Sequence, residues 1–279
     1  MKFLDRGIGQ ALGVVALLWV APAGAQENLY GNKTPAQILP AARAHQLAFL
    51  REINLRHAAR YPENNELTAR IANFETAARM QTAVPEAVDL SGESAATRKM
   101  YGLDNPETAD YGRRCLLARR LVERGVRFVQ LFLNGQPWDT HDKNAERLKG
   151  LCARTDQPSA ALVKDLKQRG LLDSTVVLWT GEFGRLPVSQ GKDGRDHNRH
   201  GFSLWVAGGG FRAGYVHGAT DDFGYRSVQD VVTVHDFHAT LLHTLGLDHR
   251  ALSHPHEGRA TSLSDAEVTG AKVVDALLA

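Results

Sequence analysis

A chain of 279 residues with 43% hydrophobic content can bury a full core as one domain or one and a half. Its net charge of +2 comes from interspersed Lys/Arg and Asp/Glu without a polybasic stripe, and aromatics are only 7%, which excludes nucleic acid as the main partner. No segment is repeated or of low complexity.

The chain opens on a targeting pattern. Lys2 and Arg6 precede an apolar run over residues 11–21, and Ala23, Gly24 and Ala25 offer a small-x-small cleavage site before Gln26. The run is short for a bilayer span. A signal peptide over residues 1–25 is therefore expected, with an exported mature chain, periplasmic or secreted, and no stable membrane span after cleavage. An uncleaved anchor is the competing reading.

Residues 34–104 form an expected helical segment. Pro35 and Pro62 each sit where a helix can start, since the missing N–H costs nothing there. Leu67, Ile71, Phe74 and Ala78 keep a helical apolar spacing. Residues 84–104 read as irregular around Pro85, and Pro106 opens a helix that reaches about Glu123 and stops at Gly125. An α/β domain is expected over residues 105–279. Residues 126–133 (VRFVQLFL) read as a strand, followed by a loop carrying Trp138, Asp139, Thr140 and His141. A long helix over residues 144–169 ends at Gly170, with Lys167 and Arg169 in the last turn as the helix dipole favours. Residues 175–180 (TVVLWT) form the next strand and carry Glu182 beyond its end. Residues 202–207 form a third strand, closed by three glycines, and residues 234–245 a helix.

Strands alternating with long helices imply parallel pairing and a three-layer α/β/α sandwich. Three strands are few for such a sheet, and helices occupy the place where earlier strands belong. The chain reads as the second half of a larger α/β domain.

Ten of the twelve histidines follow residue 140, so the ionisable chemistry belongs to the second half. Asp139 and His141 are two apart, which in an extended loop points both side chains one way. A carboxylate with an imidazole suits zinc or manganese; the alternative is a carboxylate that caps the next helix or orients the histidine. Glu182 lies at a strand end, where α/β sheets place ligands. Arg185 either binds an anion bidentately or pairs with Glu182. Asp196, His197 and His200 sit in a glycine-rich loop, with His197 favoured over His200 as a ligand and Asp196 beside it or one shell out. His235 and His238 share a helix face, although Asp236 between them suits an N-terminal cap. His249, His254 and His256 fall in a turn-rich, exposed tail. Cys115 and Cys152 form either a disulfide or two small buried thiols.

These stretches together carry a resemblance. WDTH, the long helix, LLDSTVVLWTGEFGR and GRDHNRHGFSLWVAGGG, with RMQTAVPEAVDLSGESAATRKMYG upstream, resemble the domain-of-unknown-function family 1501, which is sulfatase-like and belongs to the alkaline phosphatase superfamily. The resemblance implies the three-layer sandwich of that superfamily, here lacking its N-terminal half, and a divalent cation, zinc or manganese. In the superfamily a strand followed by Ser/Ala-Asp-His-Gly supplies two ligands. Here Gly181, Glu182, Phe183 and Gly184 stand there, so Glu182 replaces the acid and Phe183 removes the imidazole. Asp139 and His141 are similar to the upstream Asp…His pair, and His197 or His200 to a later ligand; Asp236 takes an acid position near the C-terminus. The implied activity is metal-dependent hydrolysis of a small anionic ester, with Arg185 on the anion. No nucleophile is identified, which leaves a second reading: a non-catalytic fragment or binding domain with a remnant metal site, working with a partner that supplies the missing half-domain.

Overall fold

The structure, a computed structural model, describes residues 35–279, with the side chains of 35–41 and 81–83 outside that description. The targeting pattern of residues 1–25 lies outside it as well. Among the described residues no helix is long and apolar enough to cross a membrane. The fold mixes helix and strand. It divides into two compact units, one ending at Arg79 and one spanning Met80–Ala279.

The first unit holds helix α1 (Pro35–Ala58) and most of α2 (Asn65–Val88). Arg51 lies 3.6 Å from Glu75 across the two. Two boundaries differ from expectation. Helix α2 starts at Asn65 rather than Pro62, because Asn64 caps it by accepting the Leu67 N–H at 3.0 Å. It also runs through Pro85 to Val88, in its last turn, where one lost backbone bond is tolerated.

In the second unit, Ser94 accepts the Thr97 N–H and caps a short helix α3 (Ala95–Met100) that the sequence reading left irregular. Helix α4 (Ala109–Glu123) begins later than Pro106, since Asn105 holds a turn through Glu107, Thr108 and Ala109. Helix α5 (Asn144–Gln168) lies against α4 and closes at Gly170, whose φ of 68° is the left-handed conformation that glycine adopts cheaply. Between them Tyr101, Cys115, Leu116 and Ala161 form a buried apolar cluster.

Beside that cluster lies a charged network that no sequence spacing announced. Arg119 is 2% exposed and donates to Glu93 at 2.7 Å and to Glu123 at 2.6 Å. Its Nε lies 3.0 Å from Asp165 Oδ2 without hydrogen-bond alignment. Arg120 donates to the other oxygen of Glu93, Arg169 bridges Asp165 and Glu123, and the Tyr101 hydroxyl donates to Asp165. Three guanidinium groups thus face three carboxylates, which is what makes burial of so much charge tolerable. Burial alone raises the Glu93 carboxyl, but hydrogen bonds from Arg120 and Arg119 outweigh it and hold it below the usual range. Its stabilisation is therefore complete above the ordinary carboxylate value of about 4.3 and is lost as pH falls through the lower folded value. Glu93→Gln is expected to flatten the acid limb of a plot of melting temperature against pH; an unchanged acid limb would show that other carboxylates carry it.

Residues 128–133 keep a strand's alternation, with Phe128 and Phe132 outward, but residues 126–133 belong to no strand. Arg114 donates to the Phe132 carbonyl where a neighbouring ladder would bond. Strand β1 (Val177–Trp179) follows α5, then β2 (Gly184–Arg185), β3 (His197–Asn198) and β4 (Trp205–Ala207). The expected parallel pairing is corrected: β1 pairs antiparallel with β4, and β2 antiparallel with β3. Between β2 and β3 the chain returns directly through a loop, and between β1 and β4 through that strand pair, in neither case with the crossover helix that parallel neighbours usually use. Strands β5 (Ala219–Thr220) and β6 (Ser227–Gln229) form a further antiparallel pair before helix α6 (Val234–Thr244), and β7 (Ser253–His256) and β8 (Arg259–Ser262) another after it.

The two cysteines are free thiols, which overturns the disulfide reading and leaves the buried-thiol reading true of Cys115 alone. Cys115 is buried, and burial pushes its thiol up to about 12; Cys152 is exposed. His249 is buried rather than exposed, its Nδ1 2.6 Å from the hydroxyl of Ser264, while His254 and His256 are exposed in β7.

Candidate metal centre

Three loops meet beyond the end of β1. The loop before α5 carries Trp138, whose ring packs edge-on against Trp179 of β1 at 5.8 Å between centroids. That contact anchors the Asp139–His141 stretch to the strand. The second loop is stitched to the first through its backbone. Arg195 donates its N–H to the Thr140 carbonyl at 2.9 Å, and Asn144 donates to the Asp193 carbonyl at 3.0 Å. The side chain of Asp193 accepts the Lys143 N–H. Gly194 makes this approach possible: a Cβ there would lie 1.8 Å from the His141 carbonyl oxygen. Gly184 does the same for the third loop, where a Cβ would meet the Gly201 carbonyl at 2.1 Å.

The result brings Asp139, His141 and His197 together, one ligand atom from each lying within 4.8 Å of the others. Asp139 Oδ1 is the hub. It lies 3.0 Å from Nε2 of His197 and 3.0 Å from Nε2 of His141, and it accepts a hydrogen bond from Arg185 Nη1 at 2.6 Å. The Arg185 bond, followed by that from His197, holds the Asp139 carboxyl down at about 2.

Asp196 acts one step away. Its Oδ1 lies 3.2 Å from His141 Nδ1, while Oδ2 accepts the Gln190 N–H at 2.7 Å. The backbone bond from Gln190 leads in keeping its carboxyl below the usual range. With one carboxylate 3.2 Å from Nδ1 and another 3.0 Å from Nε2, the His141 ring is held between Asp196 and Asp139, the kind of carboxylate support that metal-binding histidines use.

The remaining candidates fall elsewhere. Glu182 stands exposed in the turn between β1 and β2 and is not among the clustered donors. His200 stacks on Tyr225, with centroids 5.6 Å apart and rings 22° from parallel. Asp236 makes a reciprocal capping box with Thr233 at the start of α6 and accepts the Lys272 N–H, while His235 and His238 are exposed. Arg185 pairs with Asp139, not Glu182. Sequence reasoning missed Phe183, counted only as a lost imidazole, whose ring lies 4.3 Å from that of His197 and buttresses it. It also missed Gly194, signalled only by the density of glycines in the loop. Changing Glu182 to Gln is expected to leave zinc affinity as it is in the parent chain; a loss as large as that from altering Asp139 would return Glu182 to the ligand set.

One carboxylate and two imidazoles in this arrangement could hold a metal ion. The chain belongs to the family of proteins of unknown function DUF1501, whose model matches residues 17–278. No curated protein and no solved structure matches it.

Proposed function

We propose that this chain is an exported, sulfatase-like or phosphatase-like domain that holds one divalent cation on Asp139, His141 and His197 and acts on a small anionic ester. The observation that carries the reading is the convergence of these three donors, with Asp196 orienting His141 from behind. When bound, the cation supplies Lewis-acid polarisation of ester oxygens and activation of water. The chain's own part is to position: Asp139 and Asp196 provide negative charge, Phe183 steadies His197, and Arg185 offers a guanidinium fork suited to a phosphate or sulfate group.

A second reading has its own support. Thr140, the hydroxyl residue inside the Asp139–His141 stretch, is buried and donates to Asn144 Oδ1 at 2.6 Å, so it faces away from the cluster. A Thr140 hydroxyl committed in this way suits a binding domain that retains the metal. Calorimetry of the metal-free chain with Zn²⁺ tests what the readings share, with one ion per chain expected. Incubation of the zinc-loaded chain with aryl phosphates and aryl sulfates separates them. Turnover supports the hydrolase, and tight metal binding with no turnover supports the binding domain. Absence of zinc binding at millimolar metal would remove both.

A further inference from the structure

We propose that Arg185 is an anion-binding side chain held in reserve by Asp139, and that a divalent cation entering among Asp139, His141 and His197 releases it to a tetrahedral oxyanion. The inference rests on the metal reading above and extends it to the ligand that follows the metal.

Arg185 on β2 stands directly opposite His197 on β3, so the two side chains share a face of that strand pair. Both reach the same oxygen. Arg185 Nη1 donates to Asp139 Oδ1 at 2.6 Å, His197 Nε2 lies 3.0 Å from it, and His141 Nε2 lies at 3.0 Å as well. A carboxylate oxygen offers about two lone-pair directions, so Oδ1 is already crowded. A cation taking that oxygen meets a guanidinium at hydrogen-bond distance, and like charges so close repel. One of them has to leave. The metal is tied by three residues, whereas Arg185 is tied to Asp139 alone among the contacts described for its guanidinium nitrogens, and its side chain is partly exposed. Phe183 keeps the freed group local, since its ring centroid lies 5.6 Å from the guanidinium carbon.

Charge gives the release a direction. Asp139 and Asp196 contribute two negative charges and Arg185 one positive, so with neutral imidazoles the cluster is net −1. A divalent cation turns it to +1. Before the metal enters, an anion meets a negative cluster with its guanidinium engaged. Afterwards it meets a positive cluster with a free fork for bidentate pairing. Cation and oxyanion should therefore bind cooperatively.

The probes are Zn²⁺ and inorganic sulfate, with 4-nitrophenyl sulfate beside them to tell an ester from the free ion. Calorimetry on the full chain measures zinc affinity with and without saturating sulfate, and sulfate affinity with and without saturating zinc, at ionic strength fixed with chloride. Each ligand is expected to strengthen the other by the same factor, within the roughly 5–150-fold range of ordinary site-to-site coupling. Arg185→Gln is expected to bind zinc more tightly than the parent chain and to lose most of the coupling, keeping only the part that the cation's own charge supplies. Arg185→Lys, which keeps the charge without the fork, is expected to keep the weaker zinc affinity while losing most of the coupling, and it stands in if the Gln variant fails to fold. Zinc affinity indifferent to sulfate, or coupling undiminished in Arg185→Gln, would overturn the role of Arg185 while leaving the metal site standing. Failure of the parent chain to bind zinc would instead overturn the metal site on which the inference rests.

Discussion

Arg119→Met is expected to lower the stability of the unit Met80–Ala279 by about 3–5 kcal/mol, the range for breaking a buried ion pair from one side. For a unit of this size that is a fall in melting temperature of roughly 6–20 °C. The cost arises from what is left behind. Glu93 and Asp165 have side chains only 7% and 5% exposed, and each loses a guanidinium contact. Arg120 and Arg169 still reach them, from the rim of the network, which keeps the loss within that range. Because part of the penalty belongs to the ionised Glu93 carboxylate, the gap between variant and parent should narrow as pH falls and Glu93 protonates. Arg147→Met provides the contrast, since Arg147 pairs with Asp142 at an exposed site and such pairs contribute about 0.2–1 kcal/mol. Scanning calorimetry of both variants decides it. An Arg119→Met chain that melts within a degree or two of the parent would mean that the pocket relaxes and wets its carboxylates.

The metal centre gives the second large effect. Asp139→Ala removes the oxygen on which Arg185 and both histidines converge, and zinc binding should vanish. Asp196→Asn keeps an acceptor within reach of His141 but removes its charge, and the expected loss is about 10–100-fold, the usual cost of removing the carboxylate behind a metal-binding histidine. The two variants together separate a ligand from its support. Equal affinity in Asp196→Asn and the parent would show that His141 needs no orienting partner, and equal affinity in Asp139→Ala would dismiss the site. His197→Ala should resemble Asp139→Ala, whereas His200→Ala, on a residue committed to Tyr225, should not.

The legible parts of this chain were those written in local spacing. The long helix α5 was readable from Gly170 and from Lys167 and Arg169 in its last turn, and α6 from its capping acid. The pairing of Asp139 with His141 followed from their separation by two. Joining His197 to them was a reading of residue chemistry in a glycine-rich loop. The decisive links are backbone bonds from Asn144 and Arg195 across some fifty residues, and these have no sequence signature. Strand direction was misread because apolar, β-branched runs such as residues 175–180 look alike in parallel and antiparallel pairs. What separates the cases is the length of the connection, which in the β2–β3 pair is a direct loop. Residues 126–133 show the limit from the other side. Alternation describes which faces a segment offers, and a strand also needs a neighbour. The Arg119 network was invisible for a related reason, since Arg119 and Glu93 are 26 residues apart and each alone reads as a solvated charge.

The stitching of residues 193–195 onto residues 140–144 also sets an order of events. His141 and Asp196 are 55 positions apart, with the whole of α5 and strand β1 between them. A helix forms from neighbours within a microsecond or so, but these loops meet only after a long segment has closed on itself, and loop closure of that kind is slow and late. A cation cannot then nucleate the fold. It can only be captured once α5 has seated and β1 has placed Trp179 beneath Trp138. Metal held at the candidate centre would therefore count finished molecules, and added zinc should slow the chain's unfolding without hastening its folding.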